Sequence, residues 1–239
     1  MSQARNTAIE SAATCNHLLA ALPADEFRRL IASLEMVHCP SGLLLLEEGP
    51  GPDRVYFPVS CVVARFCTLE DGIVAEQSFV GRDGFVGVPA FLGGAAMPWR
   101  VEAIISGDAL RMPSEVLLAE FRRGGALQHL MLRYTQELIV QVSTEATCRS
   151  YHTVDRRLAR LLLQLAERWP GADLPLTQES LGMLLGARRE TVCHAAAGLQ
   201  DRGCIHHERG HVRILDAEKL RTAACGCFRP AVVPQNDHR

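Results

Sequence analysis

The pattern of hydrophobic and polar positions changes character along the chain. From His17 to Leu34, the residues Leu22, Phe27, Leu30, Ile31 and Leu34 recur at helical spacing, which predicts one or two short helices. From Val37 to Met112, short β-type runs (LLLLEE, RVYFP, CVVARFCTL, IVAEQSFV, RVEAII, ALRM) alternate with turn signals (GPGPD, EDG, GRDG, SGD). Asp71-Gly72 lies between two such runs and is a strong hairpin signal. About eight strands at this spacing predict an antiparallel barrel or sandwich.

From Ser114 the pattern is helical, broken once at Gly124-Gly125. Ala126–Ser150 then runs without Gly or Pro and has two apolar faces. One carries Leu127, Met131, Tyr134 and Leu138; the other carries Leu132, Ile139, Val142 and Ala146. A helix with two apolar faces must bury both. One face is expected against the barrel and the other against a partner helix, which predicts a dimer. Leu127, Met131, Tyr134, Leu138 and Val142 are assigned to dimerisation. The next helix, His152–Trp169, has Val154, Leu158, Leu161, Leu162 and Leu165 on one face and stops at Pro170-Gly171.

The stretch LTQESLGMLLGARRETVCHAAAGLQDRG, Leu176–Gly203, reads as two short helices joined at Gly186. Thr177 is a natural N-cap. Leu181, Leu184 and Leu185 form the buried face of the first helix, and Val192, Ala196 and Leu199 that of the second. Arg189, Glu190, Cys193, His194 and Ala197 are left toward solvent. This is a helix-turn-helix pattern, whose second helix enters the major groove. Arg can bridge O6 and N7 of guanine, and Glu can accept from the cytosine amino group. An acid beside two arginines suits base reading better than nonspecific charge attraction. The first helix's N-terminal N–H groups and Arg188 can hold phosphates. CIHHERGHVRIL then predicts two short strands around a turn at Glu208–Gly210, a wing whose Arg209, His211 and Arg213 can follow the DNA backbone. Asp216 is placed as cap of a last helix, Ala217–Ala224. The expected DNA-binding residues are Thr177, Gln178, Arg188, Arg189, Glu190, Thr191, His194, Arg209 and His211. The alternative is a ligand-binding or scaffold protein whose basic helix pair meets protein.

Charge supports the first reading. The chain has 239 residues and a net charge of −2. Residues 1–150 hold 12 basic and 17 acidic residues, a balance of −5; residues 151–239 hold 13 and 10, a balance of +3, with six of the nine histidines. The C-terminal part is the better partner for a polyanion. No apolar run approaches the roughly 20 residues that span a bilayer, and no signal-peptide stretch opens the chain. A soluble cytoplasmic protein is expected. The nine cysteines are irregularly spaced, without Cys-x-x-Cys, and are read as reduced small hydrophobes. Cys61 and Cys67 are expected to share one strand face in the core. Cys225-x-Cys227 with Cys204 and His206-His207 could make a zinc site, but the spacing is tight and packing is the preferred reading. No metal or cofactor is predicted. No Walker loop, Gly-x-Ser-x-Gly or His-Glu-x-x-His occurs, and no enzyme is expected.

In order of parts and in local motifs the chain resembles the cyclic-AMP receptor / fumarate-nitrate regulator (CRP/FNR) family of bacterial transcription factors. LTQESLGMLLGARRETV resembles that family's two-helix reader. VYFPVSCVV, VGRDGFVGVPAFLGG, RLARLLLQLAERWPG and the closing AACGCF resemble a subgroup of it. The resemblance implies an α+β chain: a cyclic-nucleotide-binding-like antiparallel β-barrel (jelly roll) over residues 15–125, a dimerisation helix over 126–150, a winged helix-turn-helix over 151–228 and a disordered tail, 229–239. It implies a homodimer on an inverted-repeat operator, with double-stranded DNA as partner, an unidentified effector, and RNA polymerase if the protein activates transcription. Arg189 and Glu190 match the first two members of the family's Arg-Glu-x-x-x-Arg base-contacting set, and His194 stands at the third. The family's nucleotide pocket uses Gly-Glu for the ribose and Arg-Ser or Arg-Thr for the phosphate. Here Val88 follows Gly87, and Arg100 falls three places late, so no cyclic-nucleotide site is expected. Nor is an iron–sulfur cluster, since only Cys15 lies near the N-terminus.

Overall fold

The computed structural model describes residues 2–72, 74–94 and 96–229; the predicted tail therefore lies, Arg229 apart, outside the described residues. The chain divides into two compact units. One is built from Met1–Ala64 and Val80–Val140, the other from Arg65–Phe79 and Gln141–Ala231.

The first unit opens with α1 (Ser2–Ala13), α2 (His17–Ala20) and α3 (Ala24–Ile31). The hydrophobic pattern does not announce α1, yet its Ile9, Ala12 and Ala13 are buried. Buried Asn16 caps α2: its Oδ1 accepts from the N–H groups of Leu18 and Leu19, and its Nδ2 donates to the carbonyls of Pro58 and Gly84 at 2.9 Å. The strands follow as β1 (Glu35–Cys39), β2 (Leu44–Leu46), β3 (Gly49–Pro50), β4 (Arg54–Pro58), β5 (Val62–Thr68) and β6 (Val74–Val80). After a short α4 (Pro89–Leu92) come β7 (Ala96–Met97), β8 (Arg100–Ile105) and β9 (Gly107–Pro113). They form sheets of order β1-β9-β4 and β2-β8-β5-β6, with a β3-β7 pair. Gly72, at φ +82°, turns the chain between β5 and β6, where Asp71-Gly72 predicts a hairpin. The two strands run on into the second unit, which holds Arg65–Phe79.

One core lies between the sheets and includes Cys39, Cys61, Val63, Val80, Met97, Val101 and Ala103. Cys61 ends just before β5, and its thiol partners Cys39 rather than Cys67, which is only half-buried. A second core gathers the helices: Leu18, Leu30, Phe57, Phe85, Phe91, Leu117, Leu127, Leu130, Met131 and Leu138. Gly84 is required here, because a Cβ would stand 2.5 Å from the Tyr134 ring and hydroxyl.

α5 (Ser114–Phe121) leads to the long helix α6 (Ala126–Tyr151). The buried carboxylate of Glu26 caps its start, accepting from the N–H groups of Ala126 and Leu127 at 2.7 and 2.8 Å, where a negative charge suits the helix dipole.

The dimerisation assignment is corrected at this helix. Leu127, Met131 and Leu138 are buried in the first unit's own core. Tyr134 packs on the Phe85 ring and donates its hydroxyl hydrogen to the Phe85 carbonyl at 3.1 Å. These four side chains are already covered within one subunit. Of the assigned five only Val142 is exposed, on the opposite face with Leu132, Ile139 and Ala146.

In the second unit, α7 (Val154–Arg168) buries Leu158, Leu161, Leu162 and Leu165. Its polar side is buried as well. Arg160 forks onto Glu145 with two bonds of 2.5 Å, Arg157 donates to the Leu185 carbonyl, and Arg168 lies 5.1 Å from the Phe79 ring centroid. The remaining elements are β10 (Asp173–Leu174), α8 (Gln178–Leu185), α9 (Arg189–Asp201), β11 (Ile205–Glu208), β12 (His211–Ile214) and α10 (Ala217–Ala223), with a small sheet of order β10-β12-β11. Asp216 caps α10 by accepting from the N–H groups of Glu218 and Lys219. No helix among the described residues is long and apolar enough to cross a membrane.

Candidate DNA-binding site

The site is made by α8, the turn at Gly186, α9 and the hairpin β11–β12. The Thr177 hydroxyl caps α8 by accepting from the Ser180 N–H at 3.0 Å. Leu181, Leu184 and Leu185 are buried beneath it. Gly186 takes the left-handed conformation (φ +56°, ψ +44°), and the Ala187 N–H closes on the Gly182 carbonyl at 3.0 Å. That pairing stops one helix and starts the next without a side-chain clash. Along α9, Val192, Ala195, Ala196 and Leu199 are buried, so Arg188, Arg189, Glu190, Thr191, His194 and Ala197 face solvent together.

Cys193 departs from the expected pattern. It is half-buried, and its thiol donates to the Gln178 side-chain oxygen at 2.6 Å, which ties α9 to the first turn of α8. Gln178 is half-buried too.

In the wing, Glu208 pairs with His211 across a two-residue loop, Arg209-Gly210. Both loop residues have positive φ (+42° and +86°), the pattern of a type I′ turn. An arginine in that conformation carries backbone strain that Asn or Gly would avoid. The turn leaves Arg209 and His211 exposed at the tip. Arg213, expected to join them, instead pairs with Asp173 on β10, and that guanidinium holds the Asp173 carboxyl below the usual carboxylate range. Among the described residues the groups that can hold a metal are Cys148, His152, Cys225 and Cys227. Cys204 and the His206-His207 pair are not in that cluster.

Two short helices set by a left-handed glycine, the second exposing arginines and an acid at its start, with a strand hairpin beside them, define a winged helix-turn-helix DNA-binding protein. Residues 156–223 match the model of the Crp-like helix-turn-helix domain. The chain is 28% identical over 202 residues to the CRP-like cAMP-activated global transcriptional regulator of Mycobacterium tuberculosis, a match covering 82% of this chain and 90% of that one. The fold is similar to that of FixK2 from Bradyrhizobium japonicum, with a TM-score of 0.70 at 17% identity, covering 81% of this chain and 98% of the other. It is similar as well to a CRP-family transcriptional regulator from Thermus thermophilus, with a TM-score of 0.67 at 20% identity, covering 82% and 100%. The chain thus carries a Crp-like helix-turn-helix domain and is similar over most of its length to a CRP-like transcriptional regulator.

Proposed function

We propose that this protein is a cytoplasmic homodimeric regulator that reads an inverted-repeat operator through α9. The observation that carries the reading is the start of α9, where Arg189, Glu190, Thr191 and His194 stand exposed on a base of buried Val192, Ala196 and Leu199. Arg189 takes a guanine edge, Glu190 accepts from a cytosine amino group on the other strand, and His194 makes the third and weaker contact. Arg188, Arg209 and His211, with the N-terminal turn of α8 around Thr177 and Gln178, hold phosphates and fix the register.

The subunits meet along the exposed ridge of α6. Leu132, Thr135, Ile139, Val142 and Ala146 alternate steps of three and four residues, the spacing of a coiled-coil seam. Two-fold pairing places the two α9 helices about one helical turn apart on DNA.

The M. tuberculosis relative is described as cAMP-activated. This chain differs in its chemistry. Val88, where the family has its ribose-binding carboxylate, is a buried apolar side chain, and Arg100 is engaged by Glu102 at 2.5 Å. The effector is therefore of another kind, and RNA polymerase is a partner if the protein activates. Selection of bound DNA from a random pool tests the function. An enriched inverted repeat is expected, and a pool without enrichment over a helix-deleted control contradicts it.

A further inference from the structure

We propose that Cys148, His152, Cys225 and Cys227 form a structural site for one zinc ion. The four ligand atoms lie within 4.8 Å of one another. Cys148 is in the last turn of α6, and the His152 N–H donates to the Cys148 carbonyl at 3.0 Å, so the two side chains share one side of the helix end. Cys225 and Cys227 flank Gly226 in the turn after α10. That turn is held by the Cys225 N–H on the Arg156 carbonyl at 3.4 Å and the Phe228 N–H on the Cys225 carbonyl at 3.2 Å.

The spacings suit a single tetrahedral ion. Sγ of Cys148 and Sγ of Cys225 are 3.4 Å apart, and Sγ of Cys227 is 3.6 Å from Nδ1 of His152. Zinc bonds of about 2.3 Å to sulfur and about 2.0–2.1 Å to nitrogen give edges of roughly 3.8 Å between sulfurs and roughly 3.5 Å from sulfur to nitrogen, so the ion would need the Cys148 and Cys225 sulfurs to part by only a few tenths of an ångström. A disulfide needs sulfurs about 2.05 Å apart, and all nine cysteines are free. A two-iron cluster divides its protein ligands between two irons and spreads them beyond one tetrahedral edge.

The donor set points the same way. Three thiolates and an imidazole, with no oxygen ligand, select zinc over magnesium, calcium or manganese. Four protein ligands leave no open position, which marks a structural rather than a catalytic ion. On binding, the three thiols release three protons to solvent, while His152 binds as neutral imidazole through Nδ1 and keeps its proton on Nε2. The complex carries a net −1. The buried Arg160 guanidinium interacts electrostatically with both Cys148 and Cys225, although its charge is shared with Glu145. All four ligands belong to the second unit, and the ion would fasten the end of α6 to the turn that closes the helix-turn-helix domain.

The test is metal content of the full-length chain, purified without chelator from zinc-supplemented cells. One zinc per chain is expected. A Cys225→Ser/Cys227→Ser variant should hold almost none, and Cys204→Ser should keep it all. Because the double variant can fail to fold, wild type stripped under reducing conditions is also titrated with cobalt(II) alone. Saturation at one equivalent, with the intense visible bands of tetrahedral thiolate coordination, is expected. The proposal is overturned by zinc-free protein that gives no such bands or by zinc retained in the double variant. Iron with acid-labile sulfide, or a Cys148–Cys225 disulfide seen by mass spectrometry, overturns it equally.

Discussion

Arg213 grips Asp173 through two hydrogen bonds of 2.6 Å, Nε to one carboxylate oxygen and Nη2 to the other. The bond joins β12 to β10 and commits the guanidinium to the wing's own sheet. Arg209, at the tip, is exposed. The two arginines should therefore answer differently to truncation. Arg209→Ala is expected to weaken binding to all DNA sequences alike and to lower the slope of log affinity against log salt by about one. Arg213→Ala should leave that slope unchanged. Titrations across a salt series decide it, and an equal loss of slope in both variants would return Arg213 to the phosphate contacts.

The exposed ridge of α6 leads to a second expectation. Ile139→Asp, on the ridge, should give a folded monomer by light scattering and cost specific DNA binding. Met131→Ala, on the opposite face, should leave the dimer intact while costing about 2–5 kcal/mol of stability, the usual range for a buried Met in a packed core. A dimer that survives Ile139→Asp unchanged would place the interface elsewhere.

Much of this architecture is legible in the sequence. The strand runs, the hairpin at Asp71-Gly72, the Thr177 and Asp216 caps and the exposed start of α9 follow from period and turn chemistry, which are local. What was not legible depends on tertiary choice. Both faces of α6 are apolar, and only the packed fold shows that Met131 and Leu138 go inward and Ile139 outward. Arg157, Arg160 and Arg168 look like a solvated face of α7, yet all three are buried because Glu145, the Leu185 carbonyl and the Phe79 ring receive them. Cys148 and His152 are four residues apart, a usable signal on one helix, but their partners lie more than seventy residues away. Proximity in sequence pointed to Cys204 and His206 instead.

Val88 bears on whether the first unit can bind a cyclic nucleotide. It is buried among Phe85, Phe91 and Leu117, and it cannot accept hydrogen bonds from ribose hydroxyls. Enclosing a cyclic phosphate without a paired cation is costly. Cyclic AMP and cyclic GMP are therefore expected to show no binding at micromolar concentration by calorimetry. A measured micromolar affinity for either would mean that the pocket lies on other residues.

Glu76 should make stability pH-dependent. Its carboxyl is buried in the second unit, and burial pushes it up to about 8, against the pull of Arg149 at 2.5 Å and with a further push from Glu145. In the unfolded chain the value is about 4.3. Between those two values the folded protein holds a proton that the unfolded chain has lost, so this group's contribution to stability falls as pH rises through the interval. Gln cannot ionise, and Glu76→Gln should remove that part of the slope. Urea midpoints at several pH values should show the variant gaining on wild type from pH 5 to pH 8. Parallel curves would show that Glu76 is ionised throughout, as a plain ion pair with Arg149.

Arg189 and Arg188 are neighbours in sequence, both exposed, yet they differ in place. Arg188 is the N-cap of α9, at the junction where the chain leaves the Gly186 turn, and Arg189 is the first residue of the helix. A side chain in the first turn of a reader helix reaches base edges, whereas one at the cap faces the flanking backbone. Arg189→Ala should cost on the order of 1–3 kcal/mol per half-site and relax preference at one base position. Arg188→Ala should weaken every sequence alike and reduce the salt dependence. The position facing His194 should be the most degenerate of the three, because an imidazole cannot span O6 and N7 of guanine as a guanidinium fork does. Binding matrices for wild type and each single variant make the comparison. A matrix that keeps its shape after Arg189→Ala, with only overall affinity lost, would make Arg189 a phosphate clamp and move base reading to Glu190 and His194.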